Sequence, residues 1–272
     1  MRIVTLVENT CGHEGCIAEH GLSIYIETEK HKLLLDTGQT DAVVKNAEVL
    51  GIDLFLVDTV ILSHGHYDHS GGILPFSQVN HTAKIIMQRK ATEPHFNGER
   101  YIGIDTDILK LPDVQLIDGD VQLDDELFLF SGIIGRRCYP QGNHKLSRME
   151  NGVQVPDDFA HEQCLVIKQN DKYWLLSGCS HNGILNIIDR YIEIFGNVPD
   201  YVITGFHMMK KEGEHTEEEK AVIIQTAQEL SLMNTVFYSG HCTGIPAFEL
   251  MKNVMGNQLI ALHTGLGIQL EK

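Results

Sequence analysis

The segment 63–72 of this 272-residue chain contains side chains whose types and spacing suit metal chemistry. It reads Ser-His-Gly-His-Tyr-Asp-His-Ser-Gly-Gly and places His64, His66, Asp68 and His69 within six positions. Neutral imidazoles and a carboxylate are suitable ligands for zinc, iron or manganese. A tight turn after a strand can direct His64 and His66 to one ion and Asp68 and His69 to another. We therefore predict a two-metal site, because a solvated polar turn would not require this spacing.

Three other histidines follow apolar, β-branched runs in Gly-rich or turn-like contexts. They are His181, His207 and His241. Functional side chains of α/β folds collect where strands end. We therefore expect these residues to approach the same site from elsewhere in the chain.

The segment 63–72 and the earlier Asp36-Thr37-Gly38 resemble the signature of the metallo-β-lactamase superfamily. The resemblance covers the whole chain, and it implies an αββα sandwich, a fold of the α/β (α+β) class, as one domain over residues 1–272. It also implies three later ligands. These are a His before a hairpin, an acidic bridging residue at the end of the hairpin, and a His after a following strand.

The resemblance is used to locate these later ligands one by one. For the first we choose His161, which precedes the expected hairpin, with His95 and His144 as alternatives. Cys179 occupies the place of the acidic bridging residue, and a thiolate there is reasonable beside zinc or iron. His181 lies two residues further on, as a ligand or a proton donor.

Two histidines compete for the last ligand position. His207 comes on the first strand after the hairpin and helix and is favoured slightly, whereas His241 would then face the substrate as an acid or base. Superfamily members with an extra strand reverse these roles. The segments 19–23, 178–181 and 241–244, with Gly205-Phe206-His207, also resemble the subgroup named for a dihydropterin-linked ribofuranosylaminobenzene 5′-phosphate synthase.

Positive charge in one long loop indicates where an anionic substrate would bind. Arg136, Arg137 and Lys145 are basic residues of this loop in an otherwise acidic chain. Arginine side chains suit phosphate groups, although a solvated charged loop is the competing interpretation. His20 precedes a strand and is predicted to approach the metals from across the site.

These residues predict a metal-dependent hydrolase or transferase acting on a small, phosphorylated substrate. Two divalent ions, zinc in preference to iron or manganese, would activate water and polarise the scissile bond. Asp68 would orient the nucleophile, and His181 or His241, if not bound to metal, would protonate the leaving group. The alternatives are a di-iron redox enzyme, which typically has a carboxylate in place of His66, and a non-catalytic metal-binding or sensing module.

Composition restricts the partners. The chain has 37 acidic and 21 basic residues and a formal charge of −16, which disfavours nucleic acid. No apolar run approaches the roughly 18 residues that span a membrane, and residues 1–8 do not resemble a signal peptide, so we expect a cytoplasmic protein. The six cysteines are expected to be thiols.

The order of apolar runs predicts the elements that position the site. Two β-rich halves, each followed by helices, indicate two packed sheets with helices outside. Strands are expected at 3–7, 22–27, 32–36, 60–62, 83–87, 101–104, 127–130, 163–169, 173–177, 201–204 and 236–239, with two more within 259–270. Helices are expected at 41–50, 183–195, 217–232 and 245–255. Residues 131–160 show little periodicity and are predicted to form a long, lid-like loop.

Overall fold

The computed structural model describes residues 1–210 and 213–269. Within them the strands are β1 (Arg2–Val7), β2 (Ser23–Glu27), β3 (Lys32–Leu35), β4 (Thr59–Ile61), β5 (Lys84–Gln88), β6 (His95–Asn97), β7 (Arg100–Tyr101), β8 (Val114–Ile117), β9 (Val121–Gln122), β10 (Leu127–Phe130), β11 (Leu146–Glu150), β12 (Val153–Pro156), β13 (Cys164–Gln169), β14 (Lys172–Leu176), β15 (Tyr201–Ile203), β16 (Val236–Ser239), β17 (Leu259–Ala261) and β18 (Gly267–Gln269). The α-helices are α1 (Ala42–Val49), α2 (Tyr67–Ser70), α3 (Ile73–Ser77), α4 (Ile184–Phe195), α5 (Glu217–Ser231) and α6 (Ile245–Met255).

Two mixed sheets of similar design form the centre of the molecule. The first has the order β18-β1-β2-β3-β4-β5-β8, and its strands are parallel from β3 to β8. The second has the order β17-β16-β15-β14-β13-β10-β9, and its strands are parallel from β14 to β17. Each sheet therefore contains several adjacent parallel strands, and the carboxyl ends of these strands lie side by side.

Three layers of apolar side chains hold the sheets and helices together. Leu33 and Ile61 of the first sheet pack with Trp174 of the second in the layer between the sheets. The outer face of the first sheet packs on α1 and α3, and that of the second packs on α4, α5 and α6. This order of layers confirms the predicted αββα sandwich.

Helix ends follow from local sequence. Thr216 caps α5 by accepting a hydrogen bond from the Glu219 amide, and the Glu219 carboxylate accepts one from the Thr216 amide. Gly196 ends α4 with a positive φ of 74°, which is accessible to glycine without a side-chain clash. Among residues 1–210 and 213–269, no helix is both long and apolar enough to cross a membrane.

The prediction for residues 131–160 was wrong in part, because they contain the hairpin of β11 and β12. This hairpin pairs with β6 and β7 in a small sheet of the order β12-β11-β6-β7. The sheet buries only a small cluster built on Ile102, Leu146 and Phe159. Its strands therefore remain largely polar and lack the alternation that reveals a strand in sequence. The strand expected at 101–104 is likewise restricted to β7.

The layer between the sheets generates a first prediction. Trp174 is fully buried there and stacks on Tyr201, with ring centroids 4.0 Å apart. Trp174→Ala should lower the free energy of unfolding by about 3–5 kcal/mol, because a large cavity would remain. Urea unfolding of the metal-free protein measures this change. Leu232→Ala is the control, since Leu232 is 86% exposed. Equal stability of the two variants would contradict the packing described here.

Candidate metal centre

The candidate site lies at the edge of the sandwich where parallel strands of both sheets end. The histidine-rich segment follows β4, and Cys179 follows β14. His207 and His241 follow β15 and β16. The two sheets thus bring residues that are far apart in sequence to one edge, as is usual for ligand sites in α/β folds.

Four ligand-type atoms converge around His69. Its Nε2 lies 3.2 Å from Cys179 Sγ and 3.2 Å from His241 Nε2. Asp68 Oδ2 lies 3.8 Å from His69 Nε2 and 3.5 Å from His241 Nε2. A tetrahedral zinc ion holds its ligand atoms about 3.3 to 3.7 Å apart, so the spacing fits one ion. A single proton would bridge only one of these contacts.

A second group of buried side chains lies beside the first. Ligand atoms of His64, Cys179 and His181 are within 4.8 Å of one another. The ring of His66 is centred 4.6 Å from that of His64 and 4.8 Å from that of His181. Nε2 of His64 and Nε2 of His181 are buried and have no hydrogen-bond partner among the described residues. Buried nitrogens without partners are costly unless a metal ion binds them.

Hydrogen bonds to Asp36 orient two histidines of the first half. His69 Nδ1 lies 2.6 Å from Asp36 Oδ2 and donates to it. Ser63 Oγ also donates to Asp36 Oδ2, at 2.7 Å, and therefore accepts from His64 Nδ1 at 2.8 Å. Both rings consequently carry their proton on Nδ1 and direct the Nε2 lone pair towards the centre. Carboxylate support of this kind is usual for metal-ligating histidines.

Two asparagines orient the histidines of the second half in the same way. His181 Nδ1 donates to Asn143 Oδ1 at 3.0 Å, while Asn143 Nδ2 donates to the His181 carbonyl. His241 Nδ1 donates to Asn9 Oδ1 at 2.9 Å. Four histidines therefore present Nε2 to the centre, which is the tautomer that neutral imidazole uses to bind metal through that atom.

The electrostatic environment keeps most of these imidazoles neutral and attracts a cation. Burial, followed by neighbouring imidazoles, lowers the pKa of His64, His66 and His181 well below its usual value. Burial also lowers the pKa of His69, but the carboxylates of Asp36 and Asp68 outweigh it and raise the pKa overall. The group around His69 is therefore a place where positive charge is stabilised.

Several residues of the site adopt the left-handed backbone conformation that costs non-glycine residues energy. They are Asp36 (φ 58°), Ser180 (φ 54°), His207 (φ 50°) and His241 (φ 48°). Such residues persist where surrounding contacts hold them, and they cluster at functional sites. Gly65 has a different reason to be glycine, because a Cβ there would lie 2.4 Å from the Ala91 carbonyl oxygen.

His161, predicted as a ligand, lies in a further group of ligand-type atoms with His66, His95 and Asp157, all within 4.8 Å of one another. The Gly65 amide donates to His161 Nδ1 at 2.9 Å, so the ring proton is on Nε2, which lies 3.4 Å from Asp157 Oδ2. A neutral ring in this arrangement has no lone pair left for an ion. His181 lies beside His64 and Cys179, and its ligand-type atom is within 4.8 Å of theirs.

His207 and His241, the two candidates for the last ligand, lie in different groups of ligand-type atoms. His241 Nε2 faces His69 and Asp68, as described above, whereas the His207 ring is centred 4.1 Å from the His181 ring, with the two planes tilted by 50°. A His207 ring nitrogen lies with the Cys179 and Cys242 sulfurs in a separate group, whose atoms are within 4.8 Å of one another. His207 therefore lies next to the candidate ligands and is partly accessible to solvent.

His20 reaches the site from the first half of the chain, as predicted from sequence. Its Nε2 lies 3.3 Å from Asp68 Oδ2, and its ring centre is 4.9 Å from that of His241. Asn9 Nδ2 donates to His20 Nδ1 at 3.4 Å, so Nε2 carries the proton and donates to Asp68. The ring is partly exposed and borders the carboxylate from the solvent side.

The basic loop separates into residues with different surroundings. Arg137 donates two hydrogen bonds to Asp189, at 2.9 and 2.8 Å, and contacts Glu229, so it is not available for a phosphate. Arg136 is exposed and donates to Asn182 Oδ1 at 3.3 Å. Lys145 is exposed and ends the short 3-10 helix that carries Asn143. The acidic neighbours of Arg137 therefore disfavour its predicted role in binding a phosphate.

Sequence reasoning missed the supporting residues. Asp36 was visible in the Asp-Thr-Gly motif, but Asn9 lies in an irregular segment and Asn143 in a short 3-10 helix, and neither carries a sequence signal. Glu162 was also missed, although it accepts hydrogen bonds from the His181 and Asn182 amides at 2.6 and 2.9 Å. These contacts fix the turn that follows Cys179.

The lowered pKa values generate a second prediction, for protein stripped of metal. Histidines have a pKa of about 6.5 in the unfolded chain. Below that pH the unfolded state binds more protons than folded His64, His66 and His181, so stability should fall as pH decreases from about 7 to 5. His69 opposes this trend, but as one group against three. The loss is on the order of 1 kcal/mol per group per pH unit.

Thermal unfolding at a series of pH values measures this dependence. The matched control is metal-free His64→Gln, His66→Gln, His181→Gln protein, whose stability should depend less on pH. An identical pH dependence of both proteins would contradict the assignment.

Comparison with known proteins places this geometry in a family. The model of the metallo-beta-lactamase superfamily matches residues 17–142. An uncharacterised protein of Methanocaldococcus jannaschii, MJ0448, is 29% identical over 273 residues, which cover 97% of this chain and 98% of the relative. A second protein of that organism, named 7,8-dihydropterin-6-methyl-4-(beta-D-ribofuranosyl)-aminobenzene-5'-phosphate synthase, is 29% identical over 286 residues, with 97% and 95% covered.

A solved structure agrees over the full length. Tm1679, described as a metal-dependent hydrolase of the beta-lactamase superfamily, is 30% identical and superposes with a TM-score of 0.85, and both chains are covered completely. The predicted superfamily and fold are thereby confirmed. With an αββα fold, clustered ligand-type side chains and this full-length likeness, the chain belongs to the metallo-beta-lactamase superfamily.

Proposed function

We propose that this protein is a metal-dependent hydrolase or transferase with a dinuclear centre. His64, His66 and His181 would hold one ion, and Asp68, His69 and His241 would hold the other. Cys179 lies between the groups and would contact one ion or both. The observation that carries this proposal is the convergence of Nε2 atoms, a thiol and a carboxylate on two adjacent places. Because both halves of the chain contribute, the proposal treats residues 1–272 as one catalytic domain.

The donor set favours zinc, with iron or manganese as alternatives. Imidazole and thiolate are borderline or soft ligands, and they disfavour magnesium and calcium. Burial is the largest of the effects that raise the pKa of the Cys179 thiol well above its usual value, so a thiolate there requires a cation beside it. When bound, ions of this kind lower the pKa of a coordinated water and polarise the bond that is cleaved.

Residues next to the proposed ligands would position the substrate and move protons. Asp68 would orient the attacking water, and His20 keeps its carboxylate in place. With His181 and His241 used as ligands, His207 is the histidine left to protonate a leaving group. Its Nδ1 is buried without a partner among the described residues, while the residue as a whole is partly exposed.

We propose a small, phosphorylated substrate. Arg136 and Lys145 are exposed on the loop that contacts His181 through Asn143 and approaches His207 at Gly142. Guanidinium groups bind phosphate through paired hydrogen bonds. The second M. jannaschii relative is named as a 5'-phosphate synthase. This name supports a phosphorylated ligand, and it is compatible with group transfer as well as hydrolysis. The formal charge of −16 disfavours a long polyanion.

A third prediction tests the two groups of ligands. His64→Ala combined with His66→Ala, and separately His241→Ala, should each lower the metal content by about one ion per chain, because each removes ligands of one ion. Both should abolish hydrolysis of phosphoester, lactone and thioester substrates. Metal analysis of protein purified without chelator measures the content. His144→Ala, on an exposed loop, is the control. Full metal content in both ligand variants would refute the assignment.

A fourth prediction uses the two neighbouring arginines as a matched pair. Arg136→Ala should weaken binding of phenyl phosphate by roughly ten-fold, because a charge-assisted hydrogen bond contributes about 1.5–3 kcal/mol. Arg137→Ala should leave this affinity unchanged, since Asp189 and Glu229 already occupy its guanidinium. Calorimetric titration of the metal-loaded protein measures both. Equal effects of the two substitutions would remove Arg136 from the proposed phosphate site.

A further inference from the structure

A buried triad of polar side chains lies behind His66, outside both proposed ligand groups. His95 Nδ1 lies 2.9 Å and His161 Nε2 lies 3.4 Å from the same oxygen of Asp157, Oδ2. The rings of His95 and His161 are centred 4.0 Å apart. The three side chains are buried, with at most 1% exposure. Burying polar groups at this depth costs free energy, so we expect the triad to have a structural or functional role.

Proton positions within the triad follow from its partners. The Gly65 amide donates to His161 Nδ1, which leaves the ring proton on Nε2, directed at Asp157. His95 donates its Nδ1 proton to the same carboxylate, so its Nε2 carries a lone pair. The other oxygen of Asp157 accepts from the Phe159 amide at 2.8 Å. Asp157 is therefore fully engaged and charged, and His161 has no lone pair for a metal ion.

The charge on Asp157 is consistent with these contacts. Burial by itself would raise its pKa, but the nearby His161 and His95 rings outweigh burial and hold the pKa far below the usual range. A permanent negative charge thus lies in the interior beside the histidine-rich segment.

His66 connects this triad to the proposed metal centre. Its ring is centred 5.6 Å from that of His95 and 5.4 Å from that of His161. A ring nitrogen of His66 lies within 4.8 Å of ligand-type atoms of all three triad residues. Nε2 of His66, of His95 and of His161 is buried without a hydrogen-bond partner among residues 1–210 and 213–269.

We infer that Asp157, with His95 and His161, is a positioning group for His66. The triad places the His95 ring and the buried Asp157 carboxylate beside the His66 ring. His161 of the triad also accepts a hydrogen bond from the amide of Gly65, the residue between His64 and His66. This inference rests on the proposed function, in which His66 is a metal ligand. The negative charge then strengthens His66 as a donor and fixes its ring plane.

Matched substitutions at the triad provide the test, with zinc as the probe. Asp157→Asn should weaken the binding of one of two zinc ions by about 10- to 100-fold, as loss of such support does in other metal sites. His161→Gln should keep wild-type affinity, because its amide can accept from Gly65 and donate to Asp157. His161→Leu can do neither and should lose affinity like Asp157→Asn. Asp124→Asn is the control, since it removes a carboxylate that faces His31 instead.

Competition with a chelator measures zinc affinity, and the visible spectrum of the cobalt-substituted protein reports on ligand geometry. Circular dichroism verifies that each variant is folded. The cobalt spectrum should change in Asp157→Asn and in His161→Leu but not in His161→Gln, a pattern that general loosening of the fold would not produce.

Three results would overturn the inference. If His161→Gln loses a whole ion, His161 is itself a ligand. If the wild type binds three ions and Asp157→Asn binds two, the triad is a metal site. If Asp157→Asn leaves both affinity and spectrum unchanged, the triad does not act on His66. If the wild-type protein binds no divalent ion, the proposed function itself is wrong. Because the wild type is measured before any variant, this failure is distinguishable from a failure of the inference about the triad.

Discussion

The candidate centre brings electron-rich ligand atoms so close together that they repel one another, and a bound cation relieves this repulsion. His69 and His241 bring Nε2 atoms to 3.2 Å from each other, and Cys179 Sγ lies equally close to His69. Each ring already donates its Nδ1 proton to Asp36 or Asn9, so lone pairs face one another. A proton on His69 relieves one contact, whereas a metal ion satisfies every donor at once.

Much of the surrounding structure serves to hold these atoms in place. Asp36 follows β3 and links the ends of β3 and β4 by accepting from the Ser63 amide at 2.7 Å as well as from two side chains. Glu8 performs a comparable task for the other sheet by accepting from the His241 amide at 2.5 Å. The strained backbone at His241 is therefore held by contacts from the opposite half of the chain.

Histidines that look alike in sequence differ in which ring nitrogen is hydrogen-bonded, and therefore in the role each can have. Rings with Nδ1 bound to an external acceptor present Nε2 to the centre, as His64 and His181 do. His161 has the opposite arrangement, because a backbone amide occupies its Nδ1. Its contact with Asp157 then belongs to the support behind His66. The direction of one hydrogen bond thus separates a candidate ligand from a residue that positions another.

The histidine-rich segment, the superfamily and the αββα sandwich were determined by the sequence alone. The segment 63–72 is contiguous, so the spacing of its ligand-type residues does not depend on tertiary packing. Apolar periodicity in the sequence predicts β3, β4, β14 and α4 directly. The choices between His161 and His181 and between His207 and His241 require the tertiary structure. These choices depend on which ring nitrogen is already bonded to Gly65, Asn143 or Asn9, contacts between segments up to 232 residues apart. The hairpin of β11 and β12 also required the structure, because a half-exposed small sheet imposes no apolar alternation on its strands.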